Sequence, residues 1–92
     1  MAPEATEDFH RLETARLRSE VRDAIETHLR HEPRKVSKSR IKRLRGVRKP
    51  EYRLRVGEVR VFYDVVGKEV HVLAIVPKSK AAEWLREWGI PE

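Results

Sequence analysis

Three arginines near the middle of the chain occupy positions at which a β-hairpin would bring their side chains together. Arg53 and Arg55 alternate with apolar residues, and Arg60 comes just after the pair Gly57-Glu58. A two-residue loop with glycine first predicts a type II′ turn, which fixes the register of the two strands. In that register Arg55 lies opposite Arg60, and Arg53 lies on the same sheet face. Because like charges placed directly opposite each other cost on the order of a few tenths of a kcal/mol, folding alone does not favour this cluster.

A bound phosphate group would account for such a cluster. The planar guanidinium of arginine binds two phosphate oxygens at once, and clustered cations stabilise the charge that develops during phosphoryl transfer. The alternative is that three long side chains extend into solvent above an open sheet. Residues 33–60 hold 12 Lys and Arg against 2 Asp and Glu, a net charge of +10 in a chain of net charge +6, which favours nucleic acid as the partner. The further residues that we expect to contact nucleic acid are Lys42, Arg43, Arg45, Arg48, Lys49 and Lys80.

His71 is a candidate for proton transfer, because a second two-residue turn at Gly67-Lys68 places it opposite Asp64. A histidine beside a carboxylate can act as an acid–base couple, and a surface ion pair is the alternative interpretation. The other histidines have no metal-ligand spacing, and the chain contains no cysteine. We therefore predict neither a metal site nor a cofactor.

The hydrophobic pattern predicts an α+β fold for one domain, residues 1–92. An αα-hairpin packs on a three- to four-stranded antiparallel β-meander, a short helix follows, and the helices lie on one sheet face. The segment 41–46 could be either a loop or a short strand. No apolar run is long enough to span a membrane and no signal-peptide core is present, so we expect a soluble, cytoplasmic protein without membrane contacts. The predicted helices cover about 3–13, 14–32 and 79–88, and the predicted strands about 51–56, 59–66 and 69–76.

The hairpin and its surroundings resemble the RelE/ParE superfamily of toxins from bacterial and archaeal type II toxin–antitoxin systems. The resemblance rests on the basic segment 42–46, the hairpin 52–65 with its Tyr-Arg-x-Arg-x-Gly pattern, and the strand 70–75. It extends over nearly the whole chain and implies a RelE-like fold.

RelE-like members are ribosome-dependent endoribonucleases, or mRNA interferases, that cut messenger RNA without a metal. They inhibit translation, arrest growth and are neutralised by a cognate antitoxin. The resemblance therefore implies that Arg53, Arg55 and Arg60 orient the RNA 2′-hydroxyl and balance charge on the scissile phosphate. It also implies that an antitoxin protein covers this basic face.

The chain departs from the family pattern at both ends. Lys78 or Lys80 would supply the charge of an arginine that family members carry after the last strand. The family's catalytic tyrosine has no counterpart in this region, so cleavage would be slow, would proceed without a base, would use His71 or would be absent. Family members also open with a strand, whereas this chain starts almost directly in a helix, so we expect an open sheet edge that could pair with another chain.

Two other functions stay open. ParE-like members share the fold but poison DNA gyrase, and they tend to lack the ribonuclease set of basic residues. The three hairpin arginines therefore favour the RelE side. A non-catalytic RNA-binding module that keeps the basic face is the third possibility.

Overall fold

Two helices precede an antiparallel sheet, and a third helix follows it. A computed structural model describes residues 1–12, 14–30, 32–36 and 40–92. The α+β class predicted from the sequence is confirmed. In chain order the elements are α1 (Pro3–His10), α2 (Ala15–Leu29), β1 (Ile41–Arg43), β2 (Val47–Lys49), β3 (Tyr52–Val56), β4 (Val59–Val66), β5 (Glu69–Pro77), α3 (Lys78–Trp88) and β6 (Ile90–Pro91).

The first two helices begin at residues suited to that position. Proline stands in the first turn of α1, where its missing N–H costs no helical hydrogen bond. Thr14 caps α2, because its Oγ1 accepts a hydrogen bond from the backbone N–H of Leu17 at 3.0 Å. The predicted helix ends depended partly on Glu13 and His31, which lie outside the described residues.

The main sheet has four antiparallel strands in the order β1-β3-β4-β5. Its edge strand β1 occupies the first half of segment 41–46, which the sequence left open between a loop and a strand. A separate two-stranded ribbon joins β2 to β6 and so returns the end of the chain to the basic segment. Gly46 connects β1 to β2 with a backbone φ of 74°, which favours glycine.

Both predicted hairpin registers are confirmed. Arg55 is the Cα partner of Arg60, and Asp64 is the partner of His71. In each turn only the glycine, Gly57 or Gly67, has positive φ, which among the hairpin turns fits type II′.

One sheet face forms the larger core against α1 and α2. Buried side chains from alternate positions of β3 and β4, such as Leu54, Val61 and Tyr63, meet Val21 and Leu29 of α2. The Tyr63 hydroxyl donates to the carbonyl of Pro33 at 2.7 Å, which ties the segment after α2 to the sheet. Burial raises the pKa of Tyr63, so the hydroxyl keeps the proton that it donates.

The prediction that the helices share one sheet face is wrong, because α3 packs on the opposite face. The cause is a bulge in β5, where Tyr63 pairs with Val72 but Phe62 pairs with Ala74. The extra residue, Leu73, reverses the alternation of β5 and turns Ala74 towards the arginine face. Ala74 and Phe62 belong to a second apolar cluster on this face, and α3 covers that cluster.

The outer edge of β5 is partly closed by the start of the chain. The backbone N–H of Ala2 donates to the carbonyl of Val72 at 2.8 Å. The Asp8 carboxylate on α1 accepts the backbone N–H of Ile75 at 3.1 Å. The open edge expected from the sequence is therefore shortened by α1. Within the described residues, no helix is long and apolar enough to cross a membrane.

Candidate functional site

Four cationic residues share the sheet face that α3 covers only in part. Lys42 of β1 is the partner of Arg53 on β3, which in turn faces Phe62 on β4. Arg55 and Arg60 face each other one step nearer the hairpin turn. The predicted cluster of three arginines is therefore brought together, and Lys42 extends it to the edge of the sheet.

Arg60 is the buried member of this cluster. Its side chain is only 7% exposed, and its Nη1 donates to the carbonyls of Gly57 and Val59 at 2.8 and 3.0 Å. It forms no ion pair with any carboxylate of the described residues. Arg60 thus holds the hairpin turn in place while keeping a full positive charge beneath the site.

Arg53 is half-buried and incompletely hydrogen-bonded. Its Nε is buried and has no hydrogen-bond partner among the described residues. Burial, and then the neighbouring charges of Arg60 and Arg55, lower the pKa of Arg53. Because arginine titrates far above neutral pH, the group stays charged. An anion bound beside the guanidinium would relieve the repulsion from Arg60 and Arg55.

Helix α3 forms one wall of the site. Trp84 stacks on Phe62 with the ring centres 4.9 Å apart and the planes 7° from parallel. At the start of the helix, the backbone N–H of Lys78 donates to the carbonyl of Glu58 in the hairpin turn at 2.7 Å. This bond fixes the first turn of α3, with the exposed Lys78 and Lys80, beside the arginine hairpin.

His71 does not join the arginine cluster. Its Nε2 lies 2.9 Å from the carboxylate of Glu69, its neighbour on β5. The carboxylate of Asp64 instead accepts the backbone N–H of Glu51 at 2.7 Å. The strand register also places His71 four residues along β4 from Arg60, roughly 13 Å at the usual rise per residue. The surface ion-pair interpretation therefore fits the geometry better than an Asp64–His71 couple.

The whole arrangement can be compared with known proteins. Over residues 1–82 the chain matches the family described as the ParE toxin of type II toxin–antitoxin system, parDE. The chain belongs to this family. The match places the toxin in the RelE/ParE superfamily that the hairpin motif indicated, and such a toxin has a cognate antitoxin as its partner. Neither the curated proteins nor the solved structures gave a match.

The basic segment before the hairpin divides into paired and unpaired cations. Arg43 of the toxin lies 3.7 Å from the Glu51 carboxylate, and Lys49 lies 4.0 Å from that of Asp64. Arg45 and Arg48 are exposed and form no ion pair within the described ranges. An open groove of about 1040 Å³ runs beside this segment. Its lining residues are Val36, Lys42, Arg43, Leu44, Arg45, Gly46 and Glu92.

The toxin's described residues contain no group of three His, Asp or Glu side chains that could hold a metal ion. From the sequence we expect Trp84 to pack the last helix onto the sheet, but sequence reasoning missed the burial of Arg60 and the identity of Phe62 as the ring on which Trp84 stacks. The sequence does contain a signal for the second: the apolar run 72–76 has too many apolar residues for one face of a strand, and the surplus residues form the patch under α3.

Proposed function

We propose that this toxin is a RelE-type messenger RNA endonuclease that acts on the ribosome and inhibits translation. The observation that supports the proposal is the cluster of Lys42, Arg53, Arg55 and Arg60 on one sheet face, without a carboxylate partner among the described residues. A structural cluster of this size would ordinarily contain paired acids, because unpaired like charges lower stability.

The cations differ in what they can do for a scissile phosphate. Arg55 is exposed and can bind phosphate oxygens directly. Arg53 is half-buried on the same sheet face, and its guanidinium is a second candidate to bind the phosphate. Arg60 is held by its own turn and adds a fixed charge from below. Lys78 is a further candidate, since its backbone is anchored to the hairpin turn.

The chemistry that this set can support is charge stabilisation. In RNA cleavage the 2′-oxygen attacks the adjacent phosphorus, the P–O5′ bond breaks, and the products carry a 2′,3′-cyclic phosphate and a 5′-hydroxyl. Arginines stabilise the extra negative charge on the phosphate during this step. They do not exchange protons at neutral pH, so the 2′-hydroxyl proton passes to solvent and the 5′-oxygen takes a proton from solvent. His71 is too far along the sheet to reach the same phosphate as Arg60.

Mapping of 5′-hydroxyl ends in cellular messenger RNA after induced expression tests this proposal. We expect cuts that depend on translation in the wild type and about a hundredfold slower cleavage in Arg55→Ala, as for loss of one group that stabilises developing charge. Arg16→Ala is the matched control, because Arg16 is exposed on the outer surface of α2 and pairs with Glu20 of the same helix. Equal cleavage by both variants, or no cuts in the wild type, would overturn the proposal.

Inhibition of DNA gyrase is a second candidate, favoured by the description of the matched family as ParE toxins. Among the described residues, no histidine or carboxylate is a strand partner of Arg53 or Arg55, which also favours a function without catalysis. Growth arrest with intact messenger RNA and trapped gyrase–DNA complexes would support this candidate. Salt-dependent RNA binding without toxicity would instead leave a non-catalytic RNA-binding module.

We also propose that the cognate antitoxin covers the arginine face. Several cations of this face form no ion pair among the described residues, so an acidic segment of the antitoxin could pair with them. We expect Arg55→Glu to weaken the toxin–antitoxin complex, measured by isothermal titration, whereas Arg16→Glu should not. Equal affinities for the two variants would place the antitoxin elsewhere.

A further inference from the structure

The last helix carries two tryptophans in different environments. Trp84 and Trp88 are four residues apart, so they follow each other on one side of α3. Trp84 is stacked on Phe62 and helps to dock the helix. Trp88 is 67% exposed, the largest exposure among the large apolar side chains of the described residues. Its indole therefore contributes little to the core, and its ring faces are available to a ligand.

Trp88 stands next to the basic segment of the chain. The residue after it, Gly89, is so close to β2 that a Cβ built there would lie 3.4 Å from the Cγ1 of Val47. Ile90 then pairs with Lys49, and the backbone N–H of Glu92 contacts the carbonyl of Gly46 at 3.4 Å. The ribbon formed by β2 and β6 thus fixes the end of α3 against this segment.

The basic segment against which α3 ends carries further exposed cations. Arg45 and Arg48 are exposed and, within the described ranges, form no ion pair. Lys42 begins the same segment and faces Arg53 in the main cluster. A chain of negative charges that is bound at Arg53 could therefore follow residues 42–48 towards Trp88.

We propose that Trp88 is a stacking platform for one unpaired base of a single-stranded RNA whose phosphates lie along the basic segment. The inference rests on the RNA-binding role proposed above and adds a base-contacting site to it. Single strands are commonly bound by a positively charged groove combined with an aromatic ring on which a base stacks. Both parts are present here, since exposed cations supply the phosphate contacts and an exposed indole supplies the flat apolar surface. Trp88 also lies beyond the residues 1–82 that match the toxin family.

The test compares a ligand that has bases with one that has none. Fluorescence anisotropy at fixed salt would measure binding of a labelled ten-nucleotide oligoadenylate to the full chain. We expect Trp88→Ala to lower the affinity about tenfold, because loss of one stacked base commonly has an effect of this order. Trp88→Phe should restore much of the affinity, whereas Trp88→Leu should not, since only phenylalanine keeps an aromatic ring.

Two further ligands separate stacking from charge. Inorganic polyphosphate, which displaces the labelled RNA but has no bases, should compete equally well with wild type and Trp88→Ala. Duplex RNA, whose bases are already stacked, should likewise compete equally well with both proteins. Arg48→Ala should weaken the binding of oligoadenylate and polyphosphate alike. Thermal melting verifies that each variant is folded. We expect the variants to fold, because the substituted side chains are exposed.

Three outcomes would overturn the inference. These are undetectable binding of oligoadenylate by the wild type, equal oligoadenylate affinity in wild type and Trp88→Ala, and an equal loss of affinity for polyphosphate. The second outcome, accompanied by a weaker antitoxin complex in Trp88→Ala, would identify Trp88 as a protein contact. Binding that depends on Trp88 without any cleavage of messenger RNA would sustain the inference while the proposed endonuclease fails.

Discussion

Arg55 and Arg60 face each other across the β3–β4 hairpin, but only Arg60 is buried. The guanidinium of Arg60 donates to the carbonyls of Gly57 and Val59, whereas Arg55 is exposed and forms no ion pair within the described residues. Two residues of the same type in one strand pair therefore have different physical roles. Arg60 stabilises the turn, and Arg55 is free to contact a ligand.

This difference predicts that two matched substitutions affect stability to different extents. Arg60→Ala should lower the free energy of unfolding by about 1–3 kcal/mol, because it removes two hydrogen bonds made by a charged donor, to the carbonyls of Gly57 and Val59. Arg55→Ala should change it by less than about 0.5 kcal/mol, as is usual at exposed positions. Urea unfolding followed by circular dichroism would measure both. Equal stability of the two variants would contradict the structural role assigned to Arg60.

We expect Arg53 to lower the stability of the free protein and to favour the binding of an anion. Arg53→Met keeps the length of the side chain but removes the donor that lacks a partner within the described residues, and it relieves repulsion from Arg55 and Arg60. We expect the variant to be as stable as the wild type or more stable by about 1 kcal/mol, since an unsatisfied buried donor costs roughly that much or more.

Inorganic phosphate provides the complementary measurement for Arg53. Phosphate should raise the melting temperature of the wild type and raise that of Arg53→Met less, because ligand binding stabilises only the state that binds. Sodium chloride at equal ionic strength is the control. A clear loss of stability in Arg53→Met would show that the guanidinium stabilises the folded protein without a bound anion, which would contradict this prediction.

The sequence was sufficient for the two hairpins of the sheet but not for its edge strand β1 or for the placement of the last helix. Glycine-first turns at Gly57 and Gly67 determine both hairpin registers from local chemistry alone. The side on which α3 packs depends on the bulge at Leu73, and an entirely apolar run does not reveal where its alternation reverses. The β2–β6 ribbon joins two very short segments about forty residues apart, so no local pattern indicates it.

The site was predictable to the same degree. The register alone placed the three arginines on one face, because alternation determines which side chains share a surface. It could not show that Arg60 is buried, since its burial depends on Val76 across the sheet and on carbonyls of its own turn. It also placed His71 opposite Asp64 without showing that Glu69 is the closer partner.

The stack of Trp84 on Phe62 predicts how α3 is held to the sheet. Trp84→Leu should lower the free energy of unfolding by about 1–2 kcal/mol, because an aromatic pair contributes roughly 0.5–1.5 kcal/mol beyond the area it buries. Trp88→Leu on the same helix is the matched control and should cost less than about 0.5 kcal/mol, since that side chain is mostly exposed. Urea unfolding would compare them, and similar losses would show that α3 docks through both rings.

His28 should make the stability of the fold depend on pH. Its Nε2 lies 2.9 Å from Nη1 of Arg40, so it accepts a hydrogen bond that only the neutral ring can accept. Burial, and then the charge of Arg40, lower the pKa of His28 below its usual 6.5. The unfolded chain therefore binds a proton at a higher pH than the folded one does.

The sign of this effect follows from the lowered pKa. The contribution of His28 to stability is complete above the unfolded value of about 6.5 and is lost as the pH falls from there through the lower folded value. His28→Gln keeps an acceptor but cannot titrate, so we expect it to lose less stability than the wild type between pH 7.5 and pH 5.5. Urea unfolding at both pH values would compare the two proteins, and equal losses would show that the ring does not accept from Arg40 in solution.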